Sequence, residues 1–235
     1  MHDDTIIVWR IDLDAPREDT QCLTTAEQAR ADRFVTEPLR RRWMASRAAL
    51  RQALGERLGI DPAAVRIKQD DNRKPYLCSS HCSSLQFNLT HSDAHALIAV
   101  CDSASIGIDV EVIKPRKHPD QVAQRSFSDS EQRAYFATSS VAVRLEMFYR
   151  IWTRKEAVIK ATGEGLTAHL DRFDVAVDLP ASVIADRNPG RSAQHWQMWH
   201  CAAQSIVGAI AVHTPTPMHV TIAPCSLSLD VISAG

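Results

Sequence analysis

The sequence predicts an α+β fold of two similar subdomains with the active site in the cleft between them. Each half of the chain contains at least one long stretch of helical periodicity and several short alternating stretches typical of strands. The pattern divides near Ser105, so we expect residues 1–105 to form an N-terminal subdomain and residues 106–235 a C-terminal one. Ligand sites often lie between such units.

The N-terminal half is expected to begin with a strand at residues 5–13 (TIIVWRIDL). Apolar residues recur three and four apart over residues 40–60, which predicts a long helix, with Gly59 near its end. A short strand is expected at residues 64–70. Residues 85–103 (LQFNLTHSDAHALIAVCDS) predict a strand, a turn with a short helix, and a second strand.

The C-terminal half is expected to open with a strand at residues 105–113 (SIGIDVEVI). A helix should follow Ser128, because Ser128 and Glu131 fit a capping box. A longer helix should end near Thr162. Three late strands are predicted at residues 172–177, 195–203 and 205–213. The segment joining the first two is expected to be a loop or a hairpin, and the proline-marked tail beyond them gives no clear pattern.

The composition is typical of a globular protein with a sizeable core. The 235 residues are 45% hydrophobic and 23% charged, with a net charge of −1. No run approaches the roughly 18 apolar residues of a membrane helix. The acidic start (MHDDTIIVWRIDLD) lacks the features of a secretory signal, so we expect a cytoplasmic protein.

The six cysteines are irregularly spaced, which argues against a disulfide framework in a chain of this length. Cys78, His81 and Cys82 suggest a zinc site. No second ligand pair with suitable spacing follows them, so free thiols are the favoured interpretation.

Eight arginines lie between Arg30 and Arg57, against three acidic residues. Such a block suits phosphate groups, whether of a nucleic acid or of a small ligand. A solvated helix face would account for most of these arginines equally well. A nucleic-acid binder would more often be basic throughout, and the pI here is about 6.8.

Two carboxylates share one face of the predicted strand IGIDVEVI. Because side chains alternate along a strand, Asp109 and Glu111 point to one side and the apolar residues to the other. Two neighbouring carboxylates repel each other and favour a cation between them. An amphipathic edge strand shows the same alternation, so this motif alone leaves metal binding open.

Glu156 and Lys160 lie four residues apart, on one face of the predicted long helix with Phe148 and Trp152. A surface ion pair is one interpretation. The other is that Glu156 is a third oxygen ligand for Mg²⁺ beside Asp109 and Glu111, with lysines neutralising the phosphates of a substrate.

The segment NLTHSDAH places His91 in a predicted tight turn after a strand. A structural role, with Ser92 or Asp93 capping the next segment, is one interpretation, and a phosphate or base contact is the other. A catalytic triad of His91, Asp93 and a serine is disfavoured, because no nucleophile-elbow sequence is present.

Four motifs, in this order and spacing, resemble the 4′-phosphopantetheinyl transferases of the surfactin-synthetase-activating type. They are RKPYL, FNLTHS, IGIDVEVI and FYRIWTRKEAVIKATGEGL. The last motif contains W-x-x-K-E-x-x-x-K-x-x-G-x-G-L from Trp152 to Leu166, which is highly specific in combination with G-I-D-x-E. Three positions depart from the family pattern: Thr90 stands where serine is frequent, Arg73 where glycine is common, and Val112 where another residue type could stand without changing the ligands.

The resemblance implies an activity, a fold and two substrates. The phosphopantetheine arm of coenzyme A would be transferred to a serine of an acyl- or peptidyl-carrier protein, with release of 3′,5′-ADP. The two subdomains would be related by pseudo-twofold symmetry, with coenzyme A in the cleft. Since each half supplies one wall of the site, a monomer should suffice.

The resemblance also assigns residues. Asp109, Glu111 and Glu156 are the expected Mg²⁺ ligands. Lys160 would contact the pyrophosphate and aid the leaving group, and Lys155 would support the phosphates. Four positions match those that hold the adenosine 3′-phosphate end: Arg42, Lys74, Thr90 and His91.

The carrier serine must lose a proton, and Glu156 is the expected general base, with Glu131 as a second candidate. Carrier proteins are typically acidic around this serine, so the basic segment IKPRKHPD, with Lys114, Arg116 and Lys117, is either a docking rim or a solvated loop.

Rival functions use the same residues. A Mg²⁺-dependent nucleotide pyrophosphohydrolase would use water as its nucleophile. A coenzyme A or nucleotide sensor, or a nucleic-acid binder, would need no catalysis. Retention of three carboxylates with Lys160 favours an enzyme, and we expect neither a nucleic-acid nor a membrane partner.

Overall fold

A computed structural model of the chain describes residues 5–17, 19–165, 169–223 and 229–233. The predictions made for Leu166, at the end of the longest motif, and for Cys225 lie outside these ranges. The described residues form a mixed α+β fold, as predicted. The helices are α1 (Thr25–Ala31), α2 (Glu37–Leu58), α3 (Pro119–Ser126), α4 (Asp129–Ala137) and α5 (Val141–Thr162). The strands are β1 (Thr5–Asp12), β2 (Ile67–Gln69), β3 (Pro75–Leu77), β4 (Gln86–Ser92), β5 (His95–Cys101), β6 (Ile106–Val112), β7 (Phe173–Val175), β8 (Val183–Asp186), β9 (Trp196–Ala203), β10 (Ile206–His213), β11 (His219–Ile222) and β12 (Asp230–Ser233).

The described strands form two four-stranded sheets and two small hairpins. The first sheet has the order β11-β1-β5-β4 and the second the order β12-β9-β10-β6. Neighbouring strands are antiparallel, except that β1 and β11 are parallel. The hairpins are β2–β3 and β7–β8.

Buried apolar clusters stack these elements in layers. Leu50 and Leu54 of α2 pack on one face of the first sheet. The other face of that sheet packs against the second sheet, where Ile108 of β6 is buried. Ile151 and Val158 of α5 cover the outer face of the second sheet. The apolar side of IGIDVEVI therefore faces the first sheet, and its acidic side faces α5.

The two sheets also meet along their edge strands β4 and β6, through side chains of β4. Asn88 Oδ1 accepts a hydrogen bond from the Ile108 N–H at 3.1 Å, and Ser92 Oγ accepts one from the Val112 N–H at 3.1 Å. These side chains satisfy backbone groups of an edge strand, which would otherwise be open to pairing with another chain. The contact brings FNLTHS beside IGIDVEV.

Gly107 lets α5 approach β6 closely. A Cβ atom at this position would overlap the backbone of Ala157 and Ala161 in α5. Because Gly107 and Asp109 lie on the same face of β6, this close approach also sets α5 directly over Asp109.

Several helix boundaries are confirmed. Ser128 and Glu131 form a reciprocal capping box at the start of α4. α2 ends at Gly59 and α5 at Gly163, both in the left-handed region with φ of 65° and 76°. Glycine adopts this conformation without steric cost, so the two residues stop their helices.

Other expectations differ from the structure. The fully described segment between β4 and β5 contains no short helix; Ser92 pairs with His95 across a tight turn in which Asp93 has a φ of 49°. Helices α1 and α3 are additional. Strand β11 belongs to the C-terminal half in sequence but joins the first sheet beside β1.

Candidate active site

A cleft of about 490 Å³ lies between the β2–β3 hairpin, β4 and α5. Residues from both halves line it, among them Lys74 and Asn88 on one side and Trp152, Glu156 and Lys160 on the other. Glu156 and Lys160 share a face of α5 because they are four residues apart. The structure therefore places this pair at a cleft wall and not on an open surface.

Lys160 lies at the centre of the polar groups in this cleft. Its Nζ donates to Asp109 Oδ1 at 2.6 Å, to Thr90 Oγ1 at 3.1 Å and to the Ile108 carbonyl at 3.2 Å. Thr90 Oγ1 in turn donates to Asp109 Oδ1 at 3.1 Å. Strands β4 and β6 and helix α5 thus meet at one carboxylate oxygen.

Two further carboxylates, those of Glu111 and Glu156, are influenced by the charges of Lys160 and Asp109. The second oxygen of Asp109, Oδ2, is buried without a hydrogen-bond partner among the described residues. Burial raises the pKa of Glu156, and the charges of Asp109 and Glu111 raise it further, against the attraction of Lys160. Burial also raises the pKa of Glu111, as does Asp109, while a hydrogen bond from Ser92 lowers it. Asp109 raises the pKa of both Glu111 and Glu156, after the larger effect of burial, so an added cation would stabilise the charged forms of these two groups.

The donor set fits a hard divalent cation. Carboxylate oxygens are the ligands that Mg²⁺ prefers, and the orphaned Oδ2 of Asp109 offers one such ligand atom. Among the described residues, no group of three His, Cys, Asp or Glu side chains is already arranged to hold a metal ion. The ammonium group of Lys160 pairs with the other Asp109 oxygen, Oδ1. It thereby neutralises part of the negative charge that a bound cation would also neutralise.

Lys74 closes the cleft from the N-terminal half. Its Nζ donates to the Ala161 carbonyl at 2.7 Å, and Asn72 Nδ2 donates to the Gly163 carbonyl at 2.8 Å. The positive charge of Lys74 lies at the C-terminal end of α5, where the helix dipole favours a cation. Burial lowers the pKa of Lys74.

His91 and Arg42 lie outside the lining of this cleft. His91 follows Thr90 on β4, and its side chain is exposed. Arg42 forms a bidentate pair with Asp14, with Nε–Oδ1 and Nη2–Oδ2 distances of 2.7 and 2.6 Å. Asp93, in the turn after His91, raises the pKa of Arg42 after the stronger effect of Asp14, so Arg42 lies near that turn.

Lys155 and Glu131 do not join the site, and the roles expected for them do not agree with the structure. Both are buried and pair with each other at 2.9 Å. Lys155 Nζ also donates to the carbonyls of Leu170 and Phe173 at 2.6 and 2.7 Å. Glu131 accepts from the Val175 N–H at 2.8 Å besides capping α4. Lys155 cannot reach substrate phosphates, nor Glu131 a substrate hydroxyl, without breaking this core network.

Two other predicted features, the arginine-rich segment and the candidate zinc site, are largely explained by contacts within the chain. Among the described residues, five of the eight arginines form ion pairs: Arg40, Arg42, Arg47, Arg51 and Arg57. A larger cavity of about 840 Å³ between α1, α2 and β2 includes Arg47 and Arg51, but both already pair with Glu27, and it lacks the predicted carboxylates. His81 Nε2 accepts from the Arg66 N–H at 2.8 Å, and Cys78 and Cys82 are free thiols.

Asn72, Asn88 and Ser92 contact the site and were not among the predicted residues. Asn88, Thr90 and Ser92 share one face of β4 because side chains alternate along a strand, so three small polar residues at every second position could have indicated one polar face. For Asn72 the sequence gives no signal, because its partner Gly163 is 91 residues away.

Comparison with known proteins identifies the family. The chain is 37% identical to the 4′-phosphopantetheinyl transferase HetI of Nostoc sp., over 74% of this chain and 75% of the relative. The chain belongs to the 4′-phosphopantetheinyl transferase family. The resemblance inferred from the four motifs is confirmed, and the chain is an enzyme of this transferase class.

Two family models match this transferase. One is described as the 4′-phosphopantetheinyl transferase superfamily and matches residues 105–211; the other, the N-terminal part of 4′-phosphopantetheinyl transferases, matches residues 9–103. The transferase AcpT of Escherichia coli strain K12 is 31% identical over 78% of this chain and 80% of its own. Sfp of Bacillus subtilis strain 168 is 24% identical over 85% and 87%. Within the described ranges, no helix is long and apolar enough to cross a membrane.

Proposed function

We propose that this transferase moves the 4′-phosphopantetheine arm of coenzyme A to a serine of an acyl- or peptidyl-carrier protein, with Mg²⁺ as cofactor, and releases 3′,5′-ADP. The observation that carries the proposal is the pairing of Lys160 with Asp109 at the cleft, beside an Asp109 oxygen that has no partner in the described part of the chain. A pyrophosphate and a divalent cation together complement such a mixture of ammonium and carboxylate groups.

Asp109, Glu111 and Glu156 would hold the cation. Bound Mg²⁺ supplies charge stabilisation to phosphoryl oxygens and orients them. The pKa values of Glu111 and Glu156 support this assignment, because burial and then the charge of Asp109 raise both of them, and a cation would offset both effects.

The reaction exchanges one phosphorus–oxygen bond for another. The carrier serine Oγ bonds to the phosphorus that bears the pantetheine, and the bond from that phosphorus to the bridging oxygen breaks. 3′,5′-ADP leaves with the electron pair of this bond. Lys160 stabilises the charge that develops on the phosphates, which is mainly electrostatic catalysis.

Glu156 is the proposed acceptor of the serine proton. It is a carboxylate that lines the cleft in which the attacking hydroxyl must bind. Glu131 is not proposed for this role, because it is buried against Lys155.

The nucleotide end of coenzyme A is assigned to the N-terminal side of the cleft. Lys74 lines that side, and Arg42 and His91 lie around the β4–β5 turn. Thr90 is buried and contacts both Asp109 and Lys160. These contacts favour a role for Thr90 in orienting Lys160 over a role in binding the 3′-phosphate directly.

The carrier protein is proposed to dock at the basic segment after β6. Arg116 stacks over Phe148 and Trp152, with its Cζ 5.4 and 5.5 Å from the two ring centroids. Trp152 lines both the cleft and a neighbouring groove of about 660 Å³ that includes Arg116 and Arg125. An acidic partner would complement this groove. Lys114 contributes less, since Asp93 already pairs with it at 2.8 Å.

We further propose a cytoplasmic monomer whose two halves are related by pseudo-twofold symmetry. The described cysteines are free thiols, which suits a reducing compartment. One copy of the chain supplies both cleft walls.

The test is an intact mass spectrum of an apo carrier protein after incubation with the enzyme, coenzyme A and Mg²⁺. We expect a mass gain of one phosphopantetheinyl group that disappears with EDTA, with a carrier Ser→Ala variant, and with Asp109→Ala enzyme. Consumption of coenzyme A with an unmodified carrier would instead indicate a pyrophosphohydrolase. Full activity of Asp109→Ala would contradict the metal assignment.

A further inference from the structure

Strand β4 presents a row of buried polar side chains to strand β6. Asn88, Thr90 and Ser92 alternate along the strand and are only 5%, 5% and 8% exposed. Buried polar groups need hydrogen-bond partners. Thr90 and Ser92 find theirs on the two acidic residues of β6, Asp109 and Glu111.

The two hydroxyls hold the carboxylates in the same way. Thr90 Oγ1 donates to Asp109 Oδ1 at 3.1 Å, and Ser92 Oγ donates to Glu111 Oε2 at 2.7 Å. The other oxygen of Asp109 has no partner in the described ranges. Within the described part of the chain, Glu111 likewise has no hydrogen bond beyond that of Ser92. In each carboxylate, one oxygen is therefore held by a hydrogen bond, and the other oxygen is available to a cation.

The hydrogen bond of Ser92 has a defined direction. The Val112 N–H donates to Ser92 Oγ at 3.1 Å, which occupies an acceptor site of the hydroxyl. Its own proton is then directed to Glu111 Oε2. Val112 follows Glu111 in the chain, so Ser92 binds the backbone and the side chain of neighbouring residues and sets the angle between them.

We propose that Ser92 is a positioning residue, which orients the Glu111 carboxylate toward the divalent cation of the transfer reaction and so sets the metal affinity of the enzyme. The inference rests on the proposed function, because it takes Glu111 as a ligand. Thr90 tests the idea less cleanly, since it also contacts Lys160.

Loss of the Ser92 hydroxyl should weaken cation binding more than it lowers kcat. Without Ser92 Oγ, the half-buried Glu111 side chain gains rotamer freedom that cation binding must remove. Removal of groups that orient metal ligands typically weakens metal affinity or activity by about tenfold to a hundredfold.

The experiment compares Ser92→Ala, Ser92→Thr and the wild type. Ser46→Ala is the matched control, because Ser46 is also buried and, among the described residues, its hydroxyl donates to the Trp43 carbonyl within α2 and to no group of the cleft. Two quantities are measured: the Mg²⁺ concentration that gives half-maximal carrier modification, and Mn²⁺ affinity from the electron paramagnetic resonance signal of free Mn²⁺ with coenzyme A present.

We expect Ser92→Ala to raise both the half-maximal Mg²⁺ concentration and the Mn²⁺ dissociation constant by about tenfold or more. kcat at saturating Mg²⁺ should stay within about threefold of the wild type, a smaller change than the loss of a direct catalytic group causes. Ser92→Thr, which keeps a hydroxyl and suits a strand, should restore both values. Ser46→Ala should leave them unchanged.

The proposal is overturned if Ser92→Ala binds Mn²⁺ like the wild type, or if it loses kcat with an unchanged metal dependence. Failure of the wild type to modify any carrier would refute the proposed function, and a change in Mn²⁺ affinity would still report on Ser92 and Glu111 independently. Wild-type transfer with an unaffected Ser92→Ala variant would refute the positioning role alone.

Discussion

Position around a helix decides which lysine of the motif can act at the cleft. Lys155 and Lys160 are five residues apart, which is about 140° around an α-helix, so they cannot face the same side. Glu156 and Lys160 are four apart and do share a face. Lys160 lines the cleft, and Lys155 is buried against Glu131. This spacing could have excluded Lys155 from the sequence alone.

Lys160→Ala should lower kcat by about a hundredfold to a thousandfold at saturating Mg²⁺, because the proposed function assigns to this ammonium group the stabilisation of charge on the transferred phosphate. The measurement is the rate of carrier mass gain. Mn²⁺ affinity should be retained, since the carboxylates remain. The exposed Lys68→Ala is the charge-matched control, and equal rates for the two variants would remove Lys160 from the chemistry.

His200 should make stability depend on pH. It is buried on β9, and burial, followed by the charges of Arg154 and Arg150, lowers its pKa from 6.5 to about 4. Between these two values the unfolded chain binds the proton and the folded chain does not, so stability falls as the pH falls through this window. The free energy of unfolding should fall by about 2 kcal/mol between pH 7 and pH 5.

Urea unfolding at both pH values measures this loss. His200→Gln should flatten the dependence, whereas the same change at the exposed His219 should not. An identical pH slope in the wild type and His200→Gln would show that other groups are responsible.

Among the elements, helices whose ends carry a local capping signal were predictable, and helix α3, which has no such signal, was not. Gly59, Gly163 and the Ser128 capping box mark their helix termini by local chemistry that the sequence displays. Thr24 and Glu27 form a second capping box at α1 that the same rule could have found. Helix α3 has only 8 residues, too few for periodicity to distinguish from the surrounding loop.

The contact between β6 and α5 gives a prediction at Gly107. Gly107→Ala would force α5 away from β6, since the added Cβ overlaps the backbone of Ala157. We expect a loss of about 3 kcal/mol or more in the free energy of unfolding, because backbone cannot relax as a side chain can. Activity should fall as well, because α5 carries Glu156 and Lys160.

Gly190→Ala is the control for this substitution. Gly190 has a φ of 78°, and a Cβ atom added there would meet no other part of the described chain within 4 Å, so only conformational strain is added. Its cost should be about 1 kcal/mol. Thermal and urea unfolding of both variants measure the difference, and equal losses would mean that the β6–α5 contact tolerates a methyl group.

At the scale of the whole molecule, the sequence predicts individual helices and strands better than it predicts which distant strands pair. Strands β1, β4 and β5 of the first sheet could be predicted from local patterns, but β11 lies in the proline-marked tail, and it pairs with β1 so that Thr5 lies opposite His219. No local pattern encodes such a partner. The division near Ser105 stays a prediction, and the structure shows contacts that cross it.

These contacts predict that residues 1–105 do not fold alone. Ile6 and Val8 of β1 share a buried cluster with Ile108, Trp199 and Ile210 of the second half. Separation would expose this apolar surface and remove β11 from the first sheet. Circular dichroism of the isolated fragment should show no cooperative thermal transition. A sharp transition, with native-like protection of β1 amides from hydrogen exchange, would contradict the prediction.

The contact between Lys74 and the end of α5 has a consequence for ligand binding. Lys74 Nζ donates one of its three N–H groups to the Ala161 carbonyl. If a nucleotide phosphate accepted hydrogen bonds from the other two, the same ammonium group would join the phosphate to the last turn of α5. A change in substrate position at the N-terminal wall would then be transmitted directly to the helix that carries Glu156 and Lys160.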